Sequence, residues 1–153
     1  MKKQINIINR KAKFQYELIE FYNAGIVLSG SEIKSIRNNK ASISESFCKF
    51  NMDNELFILN MTIERYNYDK QIDHNRKESR KLLLNKKELK KLHKDLINTG
   101  LTIIPTKLYI NNKGFAKIQI ALAKGKKLYD KRENIKDRDN KRNLDRIKKN
   151  YNK

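Results

Sequence analysis

LTIIPTKLYINNKGFAKIQIAL, residues 101–122, is the stretch that decides the fold. Its first ten residues are rich in Ile, Leu, Thr and Tyr, and NNKG (111–114) supplies a turn. In the second arm Phe115, Lys117 and Gln119 alternate with Ala116, Ile118 and Ile120. A period of two sends one set of side chains to a core and the other to solvent, so the stretch reads as a hairpin of two half-buried strands. Pro105 has no N–H to give a central ladder and belongs at an edge or a bulge.

Working outward, the same periodicity recurs. FQYEL (14–18) alternates bulky apolar with polar residues, and NAGIVLSG (23–30) is an apolar burst between glycines. SEIKSIRNN (31–39) places Ile33 and Ile36 at helical spacing after Ser31, a residue suited to an N-cap. ESFCKFNMDNELFILNMTI (45–63) is a hairpin turning at MDNE, with Cys48, Phe50 and Met52 on one face. NKKELKKLHKDLINTG (85–100) is the clearest helix: Asn85 and Glu88 have capping-box spacing, Leu89, Leu92, Leu96 and Ile97 form a stripe, and Gly100 ends it. ERYNYDKQIDHNRKESR (64–80) has few aliphatics and reads as a long exposed loop. Short strands with interleaved helices predict a mainly β protein, a small closed OB-like β-barrel with about two to three packed helices.

Composition narrows the partners. The 153 residues include 36 basic and 17 acidic side chains, a net charge of +19, which is normally matched to a polyanion. Lys, Asn and Ile are abundant throughout, so part of the lysine content is ordinary surface. Cys48 is the single cysteine, which excludes an internal disulfide and a multi-cysteine metal site and suits a reducing cytoplasm. On its strand it is a small core residue rather than a nucleophile. His74 and His93 have no metal-spaced partners, and no cofactor is expected. No apolar run reaches the ~18–20 residues of a membrane span, and MKKQINIINRK lacks the apolar stretch of a secretory signal. Glu17, Glu20, Glu32, Glu45 and Asp53 are too scattered to hold the cations of a nuclease, and AKGKK is not a phosphate loop.

After Leu128 the apolar residues thin out to Tyr129, Ile135, Leu144, Ile147 and Tyr151. The segment has helix formers, opposite charges at helical spacing such as Asp137–Lys141 and Asp145–Lys149, and no proline. So thin a stripe predicts a basic C-terminal tail, residues 125–153, that is disordered alone and helical on a polyanionic surface. Residues 9–124 form the body and 1–8 a flexible N-terminus.

NRKA (9–12), NAGIVLSGSEIKSIR (23–37), RKLLLNKKEL (80–89), LTIIPTKLY (101–109) and LAKGKKLYDKRENIKDRD (122–139) together resemble the small protein B family, the SsrA-binding proteins. The resemblance implies a cytoplasmic, monomeric adaptor of trans-translation rather than an enzyme. Such a protein binds the tRNA-like domain of transfer-messenger RNA and delivers it to stalled ribosomes, its tail entering the empty mRNA channel against small-subunit RNA. Carried onto this chain, the RNA-binding residues are Asn9, Arg10, Lys11, Glu32, Lys34, Ser35, Arg37, Arg80, Lys81, Leu83 and Lys117. The decoding-centre residues of the tail are Gly125, Lys126, Lys127, Tyr129, Asp130, Lys131 and Arg132. The chain departs from the family pattern at Asn23, where a Glu is common, leaving a neutral amide or a neighbour such as Glu20 to serve. Composition leaves one alternative open, a constitutive ribosomal or general RNA-binding protein with an OB-like barrel and a basic extension.

Overall fold

The hairpin at residues 101–122 forms the spine of the molecule in the computed structural model, which describes residues 4–70, 73–97 and 100–151. In chain order the elements are β1 (Asn6–Ile8), α1 (Arg10–Gln15), β2 (Tyr16–Ile26), α2 (Gly30–Arg37), β3 (Ala41–Ser42), β4 (Phe47–Phe50) and β5 (Leu56–Leu59). They continue with β6 (Thr62–Ile63), β7 (Arg80–Leu83), α3 (Lys86–Leu96), β8 (Leu101–Ile110), β9 (Ala116–Gly125) and α4 (Leu128–Tyr151). The protein is therefore mainly β, with four helices among the described residues.

Strand pairing closes on itself. The large sheet runs β1-β8-β4-β5-β7-β2-β9, and β9 pairs again with β8, so six strands form a ring of ladders. On its edge away from β9, β8 meets two partners in tandem: β4 through Ile103, and β1 from Lys107 to Tyr109. The ladder between β8 and β9 shifts register between Pro105 and Lys107, which puts the proline at an irregularity, as its missing N–H requires. Gly114 closes the tight turn with a φ of 85°, a left-handed value that a side chain would resist. β3 and β6 form a separate two-stranded sheet.

Inside the ring lie Leu56, Ile58, Leu82, Ile103, Leu108, Ile118 and Ile120, all buried, joined by Ile36 of α2 and Leu92 of α3. Burying each such side chain contributes about 1.5–3 kcal/mol, which makes this the dominant stabilising term. α1 packs outside it, with Ala12 against Ile104 and Ala123. α3 is amphipathic as its stripe predicts, and the Asn85 N–H donates to Glu88 Oε2 at 3.2 Å. Lys91 on α3 also donates to Glu20 Oε1 at 2.6 Å, holding that carboxyl below its ordinary value.

Several expectations are corrected. The cap of α2 is Ser29 rather than Ser31: its hydroxyl accepts from the Glu32 N–H at 3.3 Å while Glu32 Oε2 accepts from the Ser29 N–H at 3.0 Å. Met52 sits fully exposed on the β4–β5 turn, away from the face of Cys48 and Phe50, because the turn begins at Asn51. Ile97 is exposed beyond the end of α3, and Asn98 and Thr99 lie outside the described residues. Of the N-terminal residues 1–8, read as flexible, Asn6–Ile8 pair with β8, and Met1–Lys3 lie outside the described residues. The loop at 64–80 is exposed over most of its described length, 71–72 lying outside it. It nonetheless folds back on β6, where Ile63 donates to the Arg76 carbonyl at 3.0 Å. Beyond these corrections, the C-terminal tail, expected to be disordered alone and helical on a polyanionic surface, is a continuous helix over Leu128–Tyr151, residues 152–153 lying outside the description. A run of 24 residues with paired opposite charges and no glycine or proline exceeds the length at which nucleation prohibits a helix.

Candidate nucleic-acid interface

Gly25 is the centre of a row that crosses the outer surface of the sheet. It is opposite Leu83 of β7 on one side and Lys117 of β9 on the other, and Lys117 is in turn opposite Tyr109 of β8. Residues in register share a face, and their inward neighbours Leu82, Ala24, Ile118 and Leu108 are all buried. The outward row is therefore Leu83, Gly25, Lys117 and Tyr109. Glycine keeps it shallow: a Cβ on Gly25 would stand 3.4 Å from Leu83 Cβ and 3.6 Å from Lys117 Nζ. Leu83 is 52% exposed, a large apolar side chain presented beside a cation.

Basic groups of α2 join this surface from one end. Arg37 Nη2 donates to the Gly114 carbonyl at 3.2 Å, fixing α2 to the β8–β9 turn with the guanidinium exposed. Lys34, exposed on the same helix, lies 5.4 Å from the Tyr66 ring centroid. Lys34, Arg37, Leu83 and Lys117 thus remain available at the surface.

Four residues assigned to RNA contact are instead buried. Arg80 donates to Glu32 Oε1 from Nε at 2.9 Å and Nη2 at 2.7 Å, and from Nη1 to the Met61 and Glu78 carbonyls, both at 2.9 Å. This charged pair clamps α2 to β7 and to the strand before it. Ser35 is fully buried in α2. Asn9 is buried where β1 becomes α1, its amide donating to the Pro105 carbonyl at 2.9 Å and the Ile43 carbonyl at 3.4 Å. Arg10 is exposed at the start of α1. Lys11 and Lys81 form ion pairs with Glu45 and Glu55, whose carboxyls are held below their ordinary values chiefly by those lysine hydrogen bonds. Asn23 accepts from the Tyr109 hydroxyl at 3.4 Å, and Glu20 is already engaged by Lys91.

The tail residues form a second group at the other end of β9. Gly125 is opposite Tyr16, the Lys126 N–H donates to the Gln15 carbonyl at 3.0 Å, and Lys126 Nζ donates to the Lys13 carbonyl at 3.0 Å. Tyr129 is 74% exposed and Leu128 nearly as much, so the ring does not pack on the body. Lys127, Asp130 and Arg132 are exposed and Lys131 half-exposed. Farther along α4 the Arg138 guanidinium lies 5.7 Å from the Phe14 ring centroid, the one cation–ring contact between tail and body among the described residues.

Burial pushes the Cys48 thiol far up, leaving no thiolate. Among the described residues no group of three or more His, Cys, Asp or Glu could hold a metal, and no helix is long and apolar enough to cross a membrane.

The SmpB protein family model matches residues 6–150. The SsrA-binding protein of Christiangramia forsetii is 60% identical over 151 residues, covering 99% of this chain and 96% of that protein. The SsrA-binding protein of Flavobacterium psychrophilum is 62% identical over 151 residues, covering 99% and 100%. A chain from a solved structure of tmRNA-SmpB at the center of the bacterial ribosome is similar with a TM-score of 0.67 and 40% identity, covering 81% of this chain and 86% of that one.

Proposed function

The chain belongs to the SmpB family, and on that premise we infer that it is the RNA-binding adaptor of trans-translation. It binds the tRNA-like domain of transfer-messenger RNA and delivers it to stalled ribosomes. The observation that carries this reading is that the match spans body and tail together, residues 6–150, rather than an RNA-binding body alone. Two surfaces divide the work. The outer sheet surface, with Lys34, Arg37 and Lys117 neutralising phosphates and Leu83 meeting a base or ribose, holds the RNA. Asn9, Glu32, Ser35 and Arg80 act from beneath by fixing the elements that carry those side chains.

The tail from Gly125 to Arg132 meets the decoding centre. Lys126, Lys127, Lys131 and Arg132 pair with phosphates, Tyr129 stacks on an unpaired base, and Asp130 orients a neighbouring cation. The ring of six strands is read as an OB-like barrel because it closes its own edges and offers strands and loops to nucleic acid. The protein works as a monomer in the cytoplasm, as an adaptor without catalysis or cofactor.

The test is to recover the protein from cells and sequence the RNA bound to it. Transfer-messenger RNA should dominate in near-equal stoichiometry and leave ribosomal subunits at high salt. Recovery of messenger fragments alone, or retention on subunits at high salt, would overturn the reading.

A further inference from the structure

The row through Gly25 does not stop at Lys117. Tyr109 stands next in register, half-buried on the outer face of β8, and its hydroxyl donates to Asn23 Oδ1 at 3.4 Å across two strands. Two residues before it on the same face, Lys107 holds Nζ 5.3 Å from the Tyr109 ring centroid. The polar side chains around the ring are Asn6 and Lys117 in its own row and Asn23, Gln119 and Lys107 in the next. None is acidic. A flat ring tethered at its hydroxyl and surrounded by amides and cations suits an anionic ligand with planar groups, and suits an apolar or cationic protein partner poorly.

Resting on the adaptor reading, we propose that Tyr109 and Lys107 extend the RNA contact across β8, Tyr109 stacking on an unpaired base and Lys107 meeting the phosphate beside it. The contact of Lys107 with the half-buried ring is a single cation–ring contact at 5.3 Å with no carboxylate beside it, so a base can take the place of the ammonium. Asn23 then has a defined task. As an acceptor for the tyrosine hydroxyl it fixes the ring's tilt without adding a negative charge beside the phosphates. RNA recognition commonly splays single-stranded bases onto aromatic side chains, whereas duplex regions are held through phosphate and sugar.

The chain contains no tryptophan, so Tyr109→Trp introduces a single indole reporter at the site. Its emission should be quenched when an RNA of the tRNA-like domain is titrated in. Tyr109→Ala should bind about tenfold more weakly than wild type, as loss of one base–ring stack implies, and Tyr109→Phe, which keeps the ring and loses only its tether, should lie between the two. Lys107→Ala should flatten the plot of log K against log[salt] by roughly 0.7–0.9, the value of one phosphate contact. Unchanged indole emission at saturation, or wild-type affinity in Tyr109→Ala, overturns the proposal while leaving the adaptor reading intact. If the wild-type chain itself fails to bind this RNA, the adaptor reading falls and the proposal falls with it.

Discussion

Glu32 and Arg80 look in sequence like two more charges for an RNA, yet each is the other's buried partner. Removing one leaves the other desolvated and unpaired, which costs about 3–5 kcal/mol, whereas replacing both with apolar groups of similar volume costs far less. Arg80→Met should therefore lower the urea midpoint sharply, and Arg80→Met with Glu32→Leu should recover much of the loss. If Arg80→Met keeps wild-type stability and loses only RNA affinity, Arg80 is a contact residue after all. The sequence could not reveal this pairing because nothing in a charge names a partner 48 positions away. Lys34, Arg37 and Lys117 were legible because each lies on the polar side of a readable period. Tyr109 and Lys107 were not, and the bulge explains why: Ile103 through Thr106 are all buried, so β8 has no single alternation to extrapolate toward residue 110.

At the scale of elements, strong local signals survived and short ones did not. The strands of the 101–122 hairpin and the helix after Asn85 were readable because each carries a full period of apolar residues. α1 has no sequence signal: six residues with one buried side chain give no stripe, and their helix rests on packing of Ala12 against Ile104 and Ala123. α4 is the opposite case: a continuous helix that has charge pairing along its length and no buried face. With Tyr129 and Asp130 exposed in its first turn, the double substitution Tyr129→Ala and Asp130→Ala should leave binding of free transfer-messenger RNA within about twofold. On the proposed reading a stacked base and an oriented cation should be lost only on the ribosome, a base–ring stack being worth on the order of 1–3 kcal/mol. In a reconstituted system the same variant should fail to tag peptides on stalled ribosomes. Surviving tagging, or a parallel collapse of free-RNA binding, would refute the assignment.

Across the whole molecule the two surfaces sit at opposite ends of one strand. From Lys117 to Gly125 is roughly 26 Å of extended chain at ~3.3 Å per residue, so a rigid strand separates the RNA row from the root of the tail. Residues 1–124 should accordingly fold and bind the tRNA-like RNA without α4, since no residue of α4 is buried. Thermal unfolding and titration of the truncated chain would check this. The melting temperature should fall only slightly, and affinity should still decline with salt at about −0.7 to −0.9 per phosphate neutralised. A truncated chain that does not unfold cooperatively would place the tail within the body instead.

The tandem partners on one edge of β8 have a consequence in time. β4 precedes β8 by about fifty residues, but β1 must wait for that partner roughly a hundred residues later, about 5–20 s at ordinary rates of synthesis. β2 waits as long for β9. Until the 101–122 hairpin has left the machine that makes it, the nascent chain holds β1 and most of β2 unpaired, β7 reaching only Gly25 and Ile26, and Ile7 and Tyr22 lack their cover. Completion of the ring then waits on the 101–122 hairpin, and its long-range pairing makes that step slow.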